Sequence, residues 1–83
     1  MALYFLSYDL RKQRNYQPLW DELAKFRAVR ILDSDWCFNR TNTTVSALRD
    51  HFKRFIDSDD GLFVTEVSDW ATYNTRGTPK ELR

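Results

Sequence analysis

An α+β domain built as an antiparallel sheet with both helices on one face is the fold this sequence predicts, and three observations predict it. The apolar pattern switches between strand-like and helix-like periods in the order β-α-β-β-α-β. The chain has 83 residues, enough for one domain and not for two. Only two Gly and two Pro are present, so long flexible linkers are not expected between these elements.

Residues 2–8 (ALYFLSY) are apolar on both alternating sets, as expected for an inner strand rather than an edge strand. The strand stops at Asp9-Leu10, and a basic loop runs from Arg11 to Asn15. Asn15 is a candidate helix cap, and Pro18 is tolerated in a first turn. Leu19, Leu23 and Phe26 then repeat at spacings of four and three, with Asp21, Glu22 and Lys25 between them. Residues 28–33 (AVRILD) and 36–39 (WCFN) read as two short strands joined near Ser34-Asp35. Thr43 or Thr44 is a good N-cap for a second helix, whose apolar stripe is Val45, Leu48, Phe52 and Phe55/Ile56. The Asp57-Ser-Asp-Asp-Gly61 turn stops it, and residues 62–67 (LFVTEV) form the fourth strand. Residues 68–73 offer a short edge piece, which closes a single domain over 1–73. Residues 74–83 are polar, contain Gly77 and Pro79, and read as a loose C-terminal tail. The order is the split βαβ, or ferredoxin-like, arrangement.

Composition excludes several function classes. Cys37 is the only cysteine, so no disulfide framework is possible and a reducing, cytoplasmic setting is expected. No apolar run is long enough to span a bilayer, and the N-terminal residues read as a strand rather than a signal peptide. Thirteen Lys/Arg against twelve Asp/Glu leave a net charge of +1, which does not mark a nucleic-acid binder by itself. The positive residues are nevertheless grouped, as Arg11/Lys12/Arg14, Lys25/Arg27/Arg30 and Arg49/Lys53/Arg54. Tyr4, Phe5, Phe38 and Phe63 are more aromatic surface than one sheet face absorbs, and the surplus predicts a homodimer.

The Ser7-Tyr8-Asp9 strand end, the basic loop after it, the Leu32-Asp-Ser-Asp-Trp36 junction and the Leu-Phe-Val fourth strand together resemble a known superfamily. It is that of the small CRISPR-associated endonucleases (Cas-two). The nearest resemblance within it is to the SinR-like offshoot, with its aromatic segment Trp70-Ala71-Thr72-Tyr73, and a more distant one is to the virulence-associated protein D ribonucleases. The resemblance spans about residues 2–73. It implies a ferredoxin-like homodimer in which Asp9 of each copy faces its mate and holds Mg2+. Ser34 matches the small residue of the strand junction and Trp36 the aromatic after it. The C-terminal segment that contacts the integrase in the CRISPR proteins is not recognisable in residues 74–83.

Asp9 is therefore the candidate catalytic and metal-binding residue. A carboxylate is the hard oxygen ligand that magnesium prefers, and the ion can activate water on a phosphodiester. Arg11, Lys12 and Arg14 are the candidate contacts to the phosphates of RNA or DNA. A non-catalytic dimeric scaffold or regulator of the same fold is the alternative, and a small-molecule sensor lacks the Gly-rich phosphate loop. Trp20, Trp36, Trp70 and Tyr73 have rings suited to base stacking, but such residues more often anchor cores and interfaces. His51 reads as a surface residue, Cys37 as a buried small hydrophobe, and Asp57/Asp59/Asp60 as a solvated turn lacking the later Glu of a calcium loop.

Overall fold

A computed structural model describes residues 1–11 and 15–82. Four strands form one antiparallel sheet: β1 (Ala2–Asp9), β2 (Val29–Leu32), β3 (Asp35–Arg40) and β4 (Gly61–Val67). Two helices, α1 (Gln17–Lys25) and α2 (Val45–Phe52), complete the βαββαβ order. The spatial order is β2-β3-β1-β4, so β1 is an inner strand with partners on both sides. That explains why both alternating sets of β1 side chains are apolar.

One set, Tyr4, Leu6 and Tyr8, joins Phe38 of β3 and receives Leu19 and Leu23 of α1 and Leu48 and Phe52 of α2. Both helices thus pack on the same face. Helix α2 starts where Thr44 accepts a hydrogen bond from the Ala47 amide at 3.1 Å, and it runs on into a 3-10 turn, Lys53–Phe55. Helix α1 starts differently from expectation. Its cap is Tyr16, which makes no side-chain capping bond, and Pro18 supplies the preset first-turn geometry instead.

Alternation places Leu3, Phe5, Ser7 and Asp9 on the far face, level with Val67, Thr65 and Phe63 of β4 and with Cys37 and Asp35 of β3. Two halves of this face differ. Ile31 and Cys37 are buried although neither belongs to the helix-facing core. The C-terminal segment lies against β2 beside them. The Arg76 amide donates to the Ile31 carbonyl at 2.8 Å, and the Arg76 guanidinium meets Asp33 at 2.6 Å. Gly77 sits so close that a Cβ there would stand 2.7 Å from the Arg30 carbonyl and 2.8 Å from Val29. Thr78 and Glu81 form a capping box around the 3-10 turn Pro79–Glu81. Residues 74–82, polar as their composition indicates, are therefore fastened to the sheet rather than loose, and residues 68–73 add no strand. No described segment covers the β1–β4 half of the far face in this way, and Phe63 is 64% exposed there.

Candidate functional site

Asp9 ends β1 opposite Gly61, the first residue of β4. Its side chain is 70% exposed, and Oδ2 accepts a hydrogen bond from Arg11 Nε at 3.0 Å. Arg11 is held from three sides. Its amide donates to Asp60 Oδ1 at 2.8 Å, and Nη1 donates to the Asp59 carbonyl at 3.2 Å. Its guanidinium lies over Gly61, where any Cβ would come within 2.9 Å of Nη2. The acidic turn after α2 is thus a clamp for Arg11, and Asp60 also accepts from the Asp57 amide at 2.9 Å. Of the other two candidate phosphate contacts, Lys12 and Arg14 lie outside the described residues.

Magnesium takes one or two carboxylates and completes its shell with water. One chain offers Asp9 at this corner, already bonded to Arg11. Among the described residues no group of three His, Cys, Asp or Glu is placed to hold a metal. Neighbouring Ser7 donates a short hydrogen bond to Asp35 across the β1–β3 pair, which occupies both side chains.

Ser34 and Trp36 are drawn to the same end of β1, but into its framework. The Tyr8 amide donates to the Ser34 carbonyl at 3.2 Å, and Tyr8 Oη accepts from Trp20 Nε1 at 2.8 Å and from Trp36 Nε1 at 3.4 Å. The Arg30 guanidinium stands 4.8 Å from the Trp20 ring centre and 5.7 Å from that of Trp36. Two of the three tryptophans thus anchor the framework, partly buried against the core. Tyr73, by contrast, is almost fully exposed. Burial pushes the Cys37 thiol up to about 11, so the nucleophilic thiolate is not formed near neutral pH.

His51 requires a correction. It is not a surface residue but half-buried, packed among Phe26, Phe52 and Phe55 with ring centres 5.2 to 5.6 Å away. Its Nε2 lies 2.6 Å from Glu22 Oε2, and Glu22 is itself buried. The hydrogen bond to His51 holds the Glu22 carboxyl below its ordinary value against the opposing pull of burial, with Lys25 adding to the effect. The signal was present in the sequence. Glu22 falls three residues after Leu19, and His51 three after Leu48, both on the flank of an apolar stripe.

No described helix is long and apolar enough to cross a membrane. No protein-family model matches the chain, and no solved structure matches it.

Proposed function

We propose that this chain is a homodimeric nucleic-acid-binding domain of ferredoxin-like fold, joined through the uncovered β1–β4 half of its sheet. The observation that carries the reading is the exposed, charged corner of Asp9 and Arg11 beside Phe63, whose ring is 64% exposed. Arg11 is the phosphate contact among the described residues, and the clamp by Asp59 and Asp60 orders it for that role. The βαββαβ order, with β1 flanked by β3 and β4, supports the resemblance to the small CRISPR-associated endonucleases.

A second reading adds hydrolysis. It is favoured by the exposure of Asp9 and by the absence of any bond to its Oδ1 among the described residues. Two copies of Asp9 brought together across the dimer axis would hold Mg2+, which supplies charge to polarise a phosphodiester.

One set of measurements tests both. Labelled single-stranded RNA and DNA are titrated over a range of salt, with magnesium or chelator. Binding should weaken with salt, and Arg11→Gln should reduce the slope by about 0.7 for each phosphate that Arg11 neutralises. Asp9→Asn should keep the binding and, if hydrolysis occurs, abolish magnesium-dependent cleavage. Salt-independent or undetectable binding overturns the first reading. An uncleaved substrate under every condition overturns the second and leaves the non-catalytic scaffold.

A further inference from the structure

We propose that the end of the sheet opposite Asp9 carries a binding site for a phosphate group, formed by Lys25, Arg27 and Arg40. These side chains line a depression of about 240 Å³ together with Phe26, Asn39 and Leu82. Its charge is what sets it apart. Four other depressions among the described residues each balance cations with acids. Arg49 and Lys53 face Asp57 and Asp60 in one, and Arg54 faces the same two in another. Arg11 faces Asp9 in a third, and Arg76 faces Asp33 and Asp35 in a fourth. Three cations, with no carboxylate among the described lining residues, create a positive potential that an anion neutralises.

The backbone points to the same place. Three non-glycine residues among those described have positive φ, and two of them are Asn42 and Asn74. Asparagine tolerates that conformation. The third is Arg27, at φ 55°, just past the end of α1 where glycine is the usual choice. An arginine held in a sparsely populated conformation marks a place where the side chain is kept at a backbone cost. Its guanidinium has no partner among the described residues. The helix end does not repel an anion strongly here, because the Arg27 and Ala28 amides donate to the Ala24 and Leu23 carbonyls, both at 3.0 Å.

The other two cations are positioned by their neighbours. The Arg40 guanidinium lies 3.9 Å from the Phe26 ring centre, which fixes its plane and leaves its edge for bidentate donation to phosphate oxygens. Lys25 rests 3.6 Å from Glu22, whose charge is already shared with His51. Asn39 adds an amide. Arg40 pairs with Ala2 and Gly61 with Asp9, so the depression and the Asp9 corner lie at opposite ends of β1, roughly 23 Å apart at the usual strand rise. The two sites are therefore independent, and the failure of one leaves the other standing.

The phosphate can come from a small phosphate ester, from the end of an oligonucleotide or from its backbone. The test begins with inorganic phosphate titrated into the 15N-labelled protein. Shifts should concentrate at residues 25–27 and 39–40 and at the arginine Nε groups. The deciding variant is Arg27→Gly, which removes the cation and relieves the positive φ together. It should melt a few degrees higher while binding phosphate about tenfold more weakly, the loss of one charge-assisted hydrogen bond. Arg40→Met, which keeps an apolar cover on Phe26, should weaken binding likewise, and Lys53→Gln, in a depression already walled by Asp57 and Asp60, should not. A 5′-phosphorylated oligonucleotide that competes better than its 5′-hydroxyl form assigns the site to a terminal phosphate, and equal competition assigns it to the backbone. Shifts scattered over the basic surface, or unchanged affinity in Arg27→Gly, overturn the proposal.

Discussion

The two faces of the sheet are made from alternate residues of the same strands, and they meet water in opposite ways. On the helix face, Phe38, Phe52, Leu6, Leu19 and Leu23 are fully buried, and even the polar pair Glu22–His51 is bonded inside the aromatic cluster. On the far face, Phe63 is 64% exposed, and only the β2–β3 half gains cover from the C-terminal segment. Period-two patterning makes both faces apolar. It does not decide which of them the chain covers by itself. That is decided by where the helices and the C-terminal segment return, and neither returns over Phe63 on the β1–β4 half.

The largest expected effect lies on the covered face. Phe52 is fully buried and its ring meets Phe26 and Phe38 at 4.9 and 5.8 Å. Phe52→Ala should cost roughly 3–5 kcal/mol, the usual range for emptying an aromatic core position. For a thinly stable domain of this size that is much of the folding free energy. Denaturant unfolding measures it, and a loss below about 1 kcal/mol would mean that the helix face is not the core.

The next effect comes from the polar pair within that face. His51→Ala leaves Glu22 buried with only Lys25 for a partner, and should cost about 1–3 kcal/mol. A surface histidine would stay within about 0.5 kcal/mol. The pair also has a pH signature. The Glu22 carboxyl is held below its ordinary value of 4.5, so the unfolded state binds the proton more readily than the folded one. Its contribution is fully present above pH 4.5 and is lost as pH falls through the lowered folded value. Melting curves from pH 7 down to pH 3 should therefore show an acid-side loss that is smaller in Glu22→Gln. Parallel pH profiles for the two proteins would remove Glu22 from the account.

Much of this architecture was legible from spacing. The Leu19/Leu23/Phe26 and Leu48/Phe52 stripes, the Thr44 cap and the Asp57–Gly61 stop locate both helices, and the doubly apolar β1 announces an inner strand. The features that escaped depend on residues far apart in sequence. Nothing in residues 74–82 signals that Gly77 rests on β2, because its reason for being glycine is a carbonyl 47 residues earlier, Arg30. Arg11 reads as a free cation in its loop, yet its partners are Asp59 and Asp60, and its guanidinium packs over Gly61. Arg27 and Arg40 are 13 residues apart and come together only when α1 and β3 end at the same side of the sheet.

The smallest expected effect on the folded chain is the one that most sharpens the contrast between faces. Phe63→Ser removes an aromatic ring that already spends most of its surface in water, so stability at high dilution should change by no more than about 1 kcal/mol. If the β1–β4 half is a dimer interface, the same change removes an anchor from its centre. Truncating such a residue costs about 2 kcal/mol or more of association, close to a 30-fold weaker dimer. The comparison is made by light scattering and by melting at several protein concentrations. The wild type should show a dimer mass at micromolar concentration and a Tm that rises with concentration, and Phe63→Ser should lose both while keeping its circular dichroism. A wild type that is a monomer throughout would take the second molecule away from this face. A Phe63→Ser protein as unstable as Phe52→Ala would be the deeper failure, because it would mean that the ring is buried and that the two faces do not differ.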